Sequence, residues 1–109
     1  MRKIVKTKFG SEVLFANEDF FVGKFLNFTI NSSTDEQIAE FPRVFYVDEG
    51  VVDFSINGSD YEFGYGKTVL IQKGTKFKIS AKGPARVVEI AQTTLPEDFS
   101  EGKQFPSKE

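Results

Sequence analysis

The stretch VDFSINGSDYEF, residues 52–63, decides the fold. In its first half every second residue is apolar, and the same alternation returns in its second half. Asn57 and Gly58 stand between the two halves, and a type I′ turn needs φ > 0 at both central residues, for which Asn-Gly is the strongest two-residue signal. The stretch therefore predicts an antiparallel β-hairpin that directs one apolar face towards a core.

Further strands are predicted on both sides of this hairpin. They are short, rich in β-branched and aromatic residues, and separated by Gly, Pro, Asn and Asp. The predicted strands occupy residues 3–9, 20–30, 43–47, 68–71, 76–81 and 85–91, with a polar loop at 31–36. Strands at such regular spacing are typical of an all-β sandwich or barrel.

The chain has 109 residues, the length of a single domain. Residues 1–95 are expected to form a β-barrel domain. Residues 96–101 begin with Pro96 and continue with acids, which predicts a short helix. Residues 102–109 are polar, so 96–109 are expected to form a short C-terminal helix and tail.

The composition excludes several classes of function. The chain contains 13 Phe but no His and no Cys, so it has no Ser-His or Cys-His nucleophile pair, no zinc site of the Cys and His kinds, and no disulfide. The 14 basic and 16 acidic residues give a net charge of −2, which does not favour nucleic-acid binding. No apolar run approaches the length of a membrane span or of a signal peptide, so a cytoplasmic location is expected.

Two gapped motifs resemble those of the cupin superfamily. Gly66 and Gly74 stand at the glycine positions of the second cupin motif, whereas Gln72, Phe77 and Ala81 replace its Pro, His and Asn. The Asn-Gly hairpin lies between the two motifs, as it does in cupins. The resemblance implies an all-β, jelly-roll β-barrel.

The first cupin motif is similar to RVFYVDEG, residues 43–50, with Gly50 at its final position and Arg43 where metal-dependent cupins have a Glu. Their two His positions then fall on Gln37 and Ala39. A guanidinium has no acceptor and stays protonated, and an amide, a methyl group and a phenyl ring do not replace the His and Glu ligands. The resemblance therefore implies a cupin that lacks the metal site, and we expect neither a metal nor another cofactor.

Strand alternation places Arg43 and Phe45 on one face and Val44 and Tyr46 on the other. A cation inside an apolar barrel must be paired. Either Arg43 binds an anionic ligand through a bidentate contact, or its role is structural. In the structural interpretation it forms an internal salt bridge, with Glu89 as a candidate partner, or its side chain extends to the mouth of the barrel.

The phenyl rings also have two interpretations. They fill the barrel, or they line a cavity for an aromatic or apolar small molecule, with a tyrosine hydroxyl at its edge. The candidate pocket residues are Gln37, Arg43, Phe45, Tyr46, Phe54 and Phe77. No catalytic residue is assigned.

Three functions are compatible with this pattern. The first is a metal-free cupin that binds an anionic or aromatic small molecule or serves as an accessory domain. The second is a metal-independent enzyme such as a nucleoside phosphorylase, to which NEDFFVGK (residues 17–24) and FKISAKGPARVVEI (residues 77–90) are weakly similar. The third is an interaction module, and a homodimer is expected because pairing hides exposed sheet edges. The surfaces around Val44 and Tyr46 and around Ile4 are its candidates.

Overall fold

The structure is a computed structural model that describes residues 3–92. All regular structure in this range is β. The strands are β1 (Lys3–Thr7), β2 (Gly10–Asn17), β3 (Phe21–Phe28), β4 (Ser32–Ser33), β5 (Gln37–Ile38), β6 (Arg43–Glu49), β7 (Val51–Ile56), β8 (Ser59–Gly64), β9 (Thr68–Ile71), β10 (Lys76–Ala81) and β11 (Ala85–Gln92). The helix predicted at residues 96–101 and the tail at 102–109 lie outside the described residues. Nothing within residues 3–92 forms a helix able to cross a membrane.

The strands of residues 3–92 form two antiparallel sheets. The first has six strands in the order β1-β2-β3-β11-β6-β9, and the second has the order β4-β10-β7-β8, with β5 also paired to β10. Their inner faces share one core: the ring of Phe45 in the first sheet lies 5.3 Å from Phe54 and 5.6 Å from Phe77 in the second. The all-β prediction is therefore confirmed. The hydrogen-bonded ladders remain two packed sheets and do not join into the predicted closed barrel within this range.

The Asn-Gly hairpin forms where it is predicted. β7 and β8 pair along their whole length, and Asn57 and Gly58 have φ values of 50° and 87°, as a type I′ turn requires. Phe54 on β7 is fully buried, whereas Tyr61 opposite it on β8 remains 47% exposed. The apolar face of the return strand is incompletely covered because β8 is the edge strand of its sheet.

The strand predicted at residues 3–9 forms as β1 but ends at Thr7, because the chain turns at residues 8–9 and returns as β2, which the sequence does not predict. Gly10 opens β2 with a φ of 150°, and a Cβ there would lie 2.1 Å from a backbone carbonyl oxygen of β3, so only glycine fits. Phe9, in the turn, is buried and stacks on Phe28 with ring centroids 4.6 Å apart. The two central residues of the turn, Lys8 and Phe9, are not among the Gly, Pro, Asn, Asp and Ser that signal a turn.

The predicted polar loop at residues 31–36 is partly a strand. Its residues Ser32 and Ser33 pair with β10 as β4. Thr34 follows and is buried, with its hydroxyl oxygen accepting the backbone N–H of Ile79 at 3.1 Å. The loop lies against the sheet because this side chain satisfies a backbone donor that β4 is too short to reach.

Candidate functional site

A cavity of about 330 Å³ lies between the inner faces of the two sheets. Its lining combines apolar side chains with six charged ones. It is lined by Thr7, Lys8, Phe9, Glu12, Lys24, Leu26, Thr34, Asp35, Gln37, Arg43, Phe45, Ile79 and Glu89. The register explains how the charged and apolar residues meet, since Glu89 on β11 lies directly between Lys24 on β3 and Phe45 on β6.

Arg43 is the central cation of this cavity. Its Nη1 donates to Oε2 of Glu89 at 3.1 Å and to Oε1 of Gln37 at 3.1 Å. The guanidinium carbon also lies 5.5 Å from the ring centroid of Phe77, within the range of a cation–π contact. The internal salt bridge to Glu89, one of the two interpretations left open by the sequence, is thus present. Among the described residues nothing accepts from Nε or Nη2, so these donors remain available to a ligand.

Glu89 is the most buried charged side chain of the cavity, with 9% of its side chain exposed. Burial raises the pKa of the Glu89 carboxyl, and Arg43 and Lys24 offset part of that increase. Glu12 adds a smaller upward contribution to the same pKa because it is a like charge. The carboxyl is therefore easier to protonate than an exposed glutamate.

Two more ion pairs surround this centre. Lys24 Nζ lies 3.2 Å from Glu12 Oε1, and both side chains are about one-third exposed or less. Lys8 Nζ lies 2.7 Å from Asp35 Oδ1, and both of these side chains are mostly exposed. The lining therefore alternates three cations with three carboxylates and is formally neutral when every group is ionised.

The six residues predicted for the pocket separate into three groups. Gln37, Arg43 and Phe45 line the cavity. Phe54 and Phe77 have no exposed surface and lie in the core, outside the cavity lining. Tyr46 lies on the opposite face of β6, next to Tyr65. Partial burial and then the Tyr65 hydroxyl raise the pKa of Tyr46.

Most of the charged lining is not predicted from the sequence. Glu12 lies on β2, the strand that was not predicted. Lys24 lies on a predicted strand and shares its inner face with Leu26 and Phe28, both buried. A charged residue on an otherwise apolar strand face was the available signal for Lys24. No local signal marks Thr34 or Asp35, since only the fold of the loop brings them to the cavity.

Three of the four positions that correspond to the metal ligands of metal-dependent cupins lie in contact, but their side chains are of other kinds. Gln37 and Phe77 are paired in register, and Arg43 contacts both, while Ala39 is buried in the core. An amide, a phenyl ring, a guanidinium and a methyl group do not fit a divalent metal ion. In residues 3–92, no group of three or more His, Cys, Asp and Glu side chains is placed to hold one.

No protein-family model matches the sequence, and no curated protein matches it. Solved structures do match. An RmlC-like cupin from Shewanella frigidimarina NCIMB 400 is 12% identical with a TM-score of 0.79, covering 90% of this chain and 88% of that one. The Cnp3 cupin domain of Schizosaccharomyces pombe is 13% identical with a TM-score of 0.70, covering 98% and 97%.

A third similar structure is the polyketide cyclase RemF from Streptomyces resistomycificus, which is 21% identical with a TM-score of 0.72 and covers 79% of this chain and 66% of that one. At these identities the likeness is one of architecture. Together with the two packed antiparallel sheets and the hairpin at residues 57–58, it confirms the resemblance stated from the sequence. The chain therefore adopts the fold of the cupin superfamily.

Proposed function

We propose that the protein binds a small organic molecule in the cavity between its sheets, without a metal ion. The observation that carries this proposal is the cavity itself, whose lining combines Arg43, with two of its nitrogens unused among the described residues, and Lys24 with an apolar wall. Ligand sites combine an apolar lining with a few placed polar groups, over about 300–1,000 Å³. The volume of about 330 Å³ suits a small ligand.

The experiment is a screen of small aromatic and anionic molecules by NMR on the isotopically labelled protein. We expect at least one compound to shift the signals of Arg43, Gln37 and Glu89. Arg43→Met should weaken that binding. Arg86→Met is the matched control, since it removes an arginine that is also paired with carboxylates but lies on the outer face of β11. No binding across the screen, or shifts confined to the outside of the sheets, would contradict the proposal.

The alternative is that the protein is an enzyme and uses the same cavity as its active site. One similar structure is a polyketide cyclase and another is a cupin domain, so proteins of this fold include at least one enzyme. The raised pKa of Glu89 is a property that catalytic acids share. Release of a base from a nucleoside panel in phosphate would support the nucleoside phosphorylase alternative, and absence of release across the panel would remove it.

We also propose that the protein forms a homodimer through the outer face of the six-stranded sheet. Two apolar cross-strand rows run across this face. The first row is Ile4, Val13, Phe25, Val88 and Tyr46, and the second is Gly23 with Phe15 against it, Ile90, Val44 and Leu70. We call these two rows the apolar face. Ile4 is 70% exposed and Leu70 is 58% exposed, so the face is open in the single chain.

The apolar face is specific to one side of the molecule. The outer face of the other sheet is polar, with Asp53 opposite Ser80 and Ser55 opposite Lys78. Contiguous exposed apolar surface of this kind marks an interaction site.

A second copy of this chain is the occupant that suits the apolar face. The two rows carry no charged side chain, and the nearby Arg86 is paired within the chain, 3.0 Å from Asp48 and 3.7 Å from Glu49. An uncharged apolar surface is self-complementary under two-fold symmetry.

Light scattering and sedimentation test the homodimer. We expect a dimer at micromolar concentration and a monomer for the double variant Val44→Lys and Leu70→Lys. Ile38→Lys, which adds a charge at an equally exposed site on the other sheet, should remain dimeric. A wild-type monomer at high micromolar concentration would contradict this proposal and leave the cavity proposal unaffected.

A further inference from the structure

We propose, resting on the binding function above, that the ligand is a small monocarboxylate. Its carboxylate binds the unused Nε and Nη2 donors of Arg43 beside Glu89, and Glu89 takes up one proton from solvent as the ligand binds. The ligand's apolar body then lies against the hydrophobic wall of the cavity. Each part of this proposal follows from a different feature of the lining.

The donor geometry at Arg43 favours a planar, bidentate anion. Both of its hydrogen bonds leave from Nη1, so Nε and Nη2 form an unused pair of donors. A guanidinium presents such a pair in a rigid fork that matches the two oxygens of a carboxylate. Lys24 adds a second cation on the same lining, and within residues 3–92 one of its three N–H donors is used, by Glu12.

The charge balance limits the ligand to a single negative charge. Three cations and three carboxylates line the cavity, so an incoming anion meets Glu12, Asp35 and Glu89 as well as the cations. Protonation of one of these carboxylates compensates for one added charge and no more. The second charge of a dianion would remain in a partly buried site, where the ionised carboxylates of the lining repel it.

Glu89 is the carboxylate placed to take the proton. It is the most buried of the three, and burial already raises its pKa. The charged groups that face it are Arg43 on β6, Lys24 on β3 and Glu12 on β2. A ligand carboxylate on the free donors of Arg43 adds a like charge beside Glu89, which disfavours the ionised form of Glu89. The protonated carboxyl can then donate a hydrogen bond to the ligand's carboxylate, whereas the ionised form would repel it.

The apolar part of the cavity lining favours a ligand whose remaining atoms are apolar. Phe9, Leu26, Phe45 and Ile79 line the cavity and offer no hydrogen-bonding side-chain atom. At about 330 Å³ the cavity is at the lower limit of typical ligand sites, so a single ring with one carboxylate is a suitable probe. Benzoate is therefore the test ligand, with benzyl alcohol as its neutral analogue and phthalate as its dianionic one.

Isothermal titration calorimetry in two buffers of different ionisation enthalpy measures the proton uptake directly. We expect benzoate to bind with uptake of about one proton, and its affinity to fall by about tenfold for each pH unit above the pKa of Glu89 in the free protein. Phthalate should bind more weakly than benzoate. Glu89→Gln, whose amide donates to a carboxylate without titrating, should bind benzoate with no proton uptake and a flat pH profile.

Arg43→Met should reduce benzoate affinity by tenfold or more, while Arg86→Met should leave it unchanged. Benzoate binding without proton uptake, or with the same pH profile in Glu89→Gln as in the wild type, overturns the inference even if Arg43→Met does not fold. Binding of benzyl alcohol but not of benzoate also overturns it and leaves the proposed binding function intact. Binding by no compound of the small-molecule screen removes both.

Discussion

Arg43 and Glu89 form their 3.1 Å ion pair diagonally across two neighbouring strands. In the register of β6 and β11, Glu89 lies opposite Phe45, and Arg43 lies opposite Ala91. Long side chains reach such diagonal partners. The pair therefore keeps two charges on the inner face of the six-stranded sheet, where alternation would otherwise place apolar residues. It is the feature that distinguishes this cavity from a packed core.

Loss of Arg43 should destabilise the protein more than loss of an arginine outside the cavity. Arg43→Met leaves Glu89 buried without its hydrogen-bonded cation, and we expect a loss of about 3 kcal/mol in the free energy of unfolding. Arg86→Met breaks a more exposed pair and should cost about 1 kcal/mol or less. Urea unfolding at neutral pH measures both. Equal losses would show that the Arg43 pair is no more important to stability than a surface one.

The stability of the protein should fall as Glu89 ionises. Burial raises the pKa of Glu89 above its ordinary value of 4.5, so the folded state binds this proton more tightly than the unfolded state. The resulting stabilisation is fully present below about pH 4.5 and is lost as the pH rises through the folded-state pKa. We expect Glu89→Gln to lack this loss, so its stability relative to the wild type should increase with pH over that window. Urea titrations at several pH values test this, and a constant difference would refute it.

Phe54 should behave as a core residue and not as a ligand-binding one. It has no exposed surface and packs on Phe45 and Phe63, so Phe54→Ala should cost about 3–5 kcal/mol. Ile38→Ala, at a residue that is mostly exposed, should cost about 1 kcal/mol or less. Chemical denaturation provides both values. In the milder variant Phe54→Leu, ligand affinity should be unchanged; a large loss of affinity there would mean that the cavity extends further into the core.

Gly10 should be intolerant of any side chain. In Gly10→Ala the new Cβ would lie 2.1 Å from the carbonyl oxygen of Asn27, so either β2 or β3 must shift. We expect a loss of at least about 2 kcal/mol and a change in the NMR signals of Phe9, which packs beside this position. In Gly58→Ala a Cβ would meet nothing within 4 Å, so only the positive φ remains and the loss should be about 1 kcal/mol. Similar losses for the two variants would contradict the assigned packing at Gly10.

The parts of the fold that the sequence predicts are those set by neighbouring residues. The hairpin at residues 57–58 depends on a local backbone requirement, and Arg43 faces inward because side chains alternate along a strand. The pairing of Arg43 with Glu89 is one of two interpretations that the sequence allows. A sequence shows that a buried cation needs a partner, but it does not show which carboxylate lies near it.

The parts that the sequence does not predict depend on tertiary packing. The turn at Phe9 is stabilised by stacking on Phe28, and its central residues Lys8 and Phe9 are not typical turn residues, so β2 and Glu12 go unrecognised. Tyr46 is assigned to the pocket although alternation places it on the other face. Phe54 and Phe77 could not be separated from Phe45 because all three are inward phenyl rings on strands. Only the packing of the two sheets decides which rings border the cavity.

The strand order has a consequence for how the molecule assembles. β11 is the last described strand, yet it lies between β3 and β6 in the six-stranded sheet. Until residues 85–92 pair with them, β3 and β6 each expose an edge with unpaired backbone N–H and C=O groups. Such edges can pair with strands of other chains. Contacts between residues so distant in sequence also slow folding. Glu89 lies on this same strand. A chain that ends before β11 therefore lacks both a complete six-stranded sheet and the most buried carboxyl of the cavity.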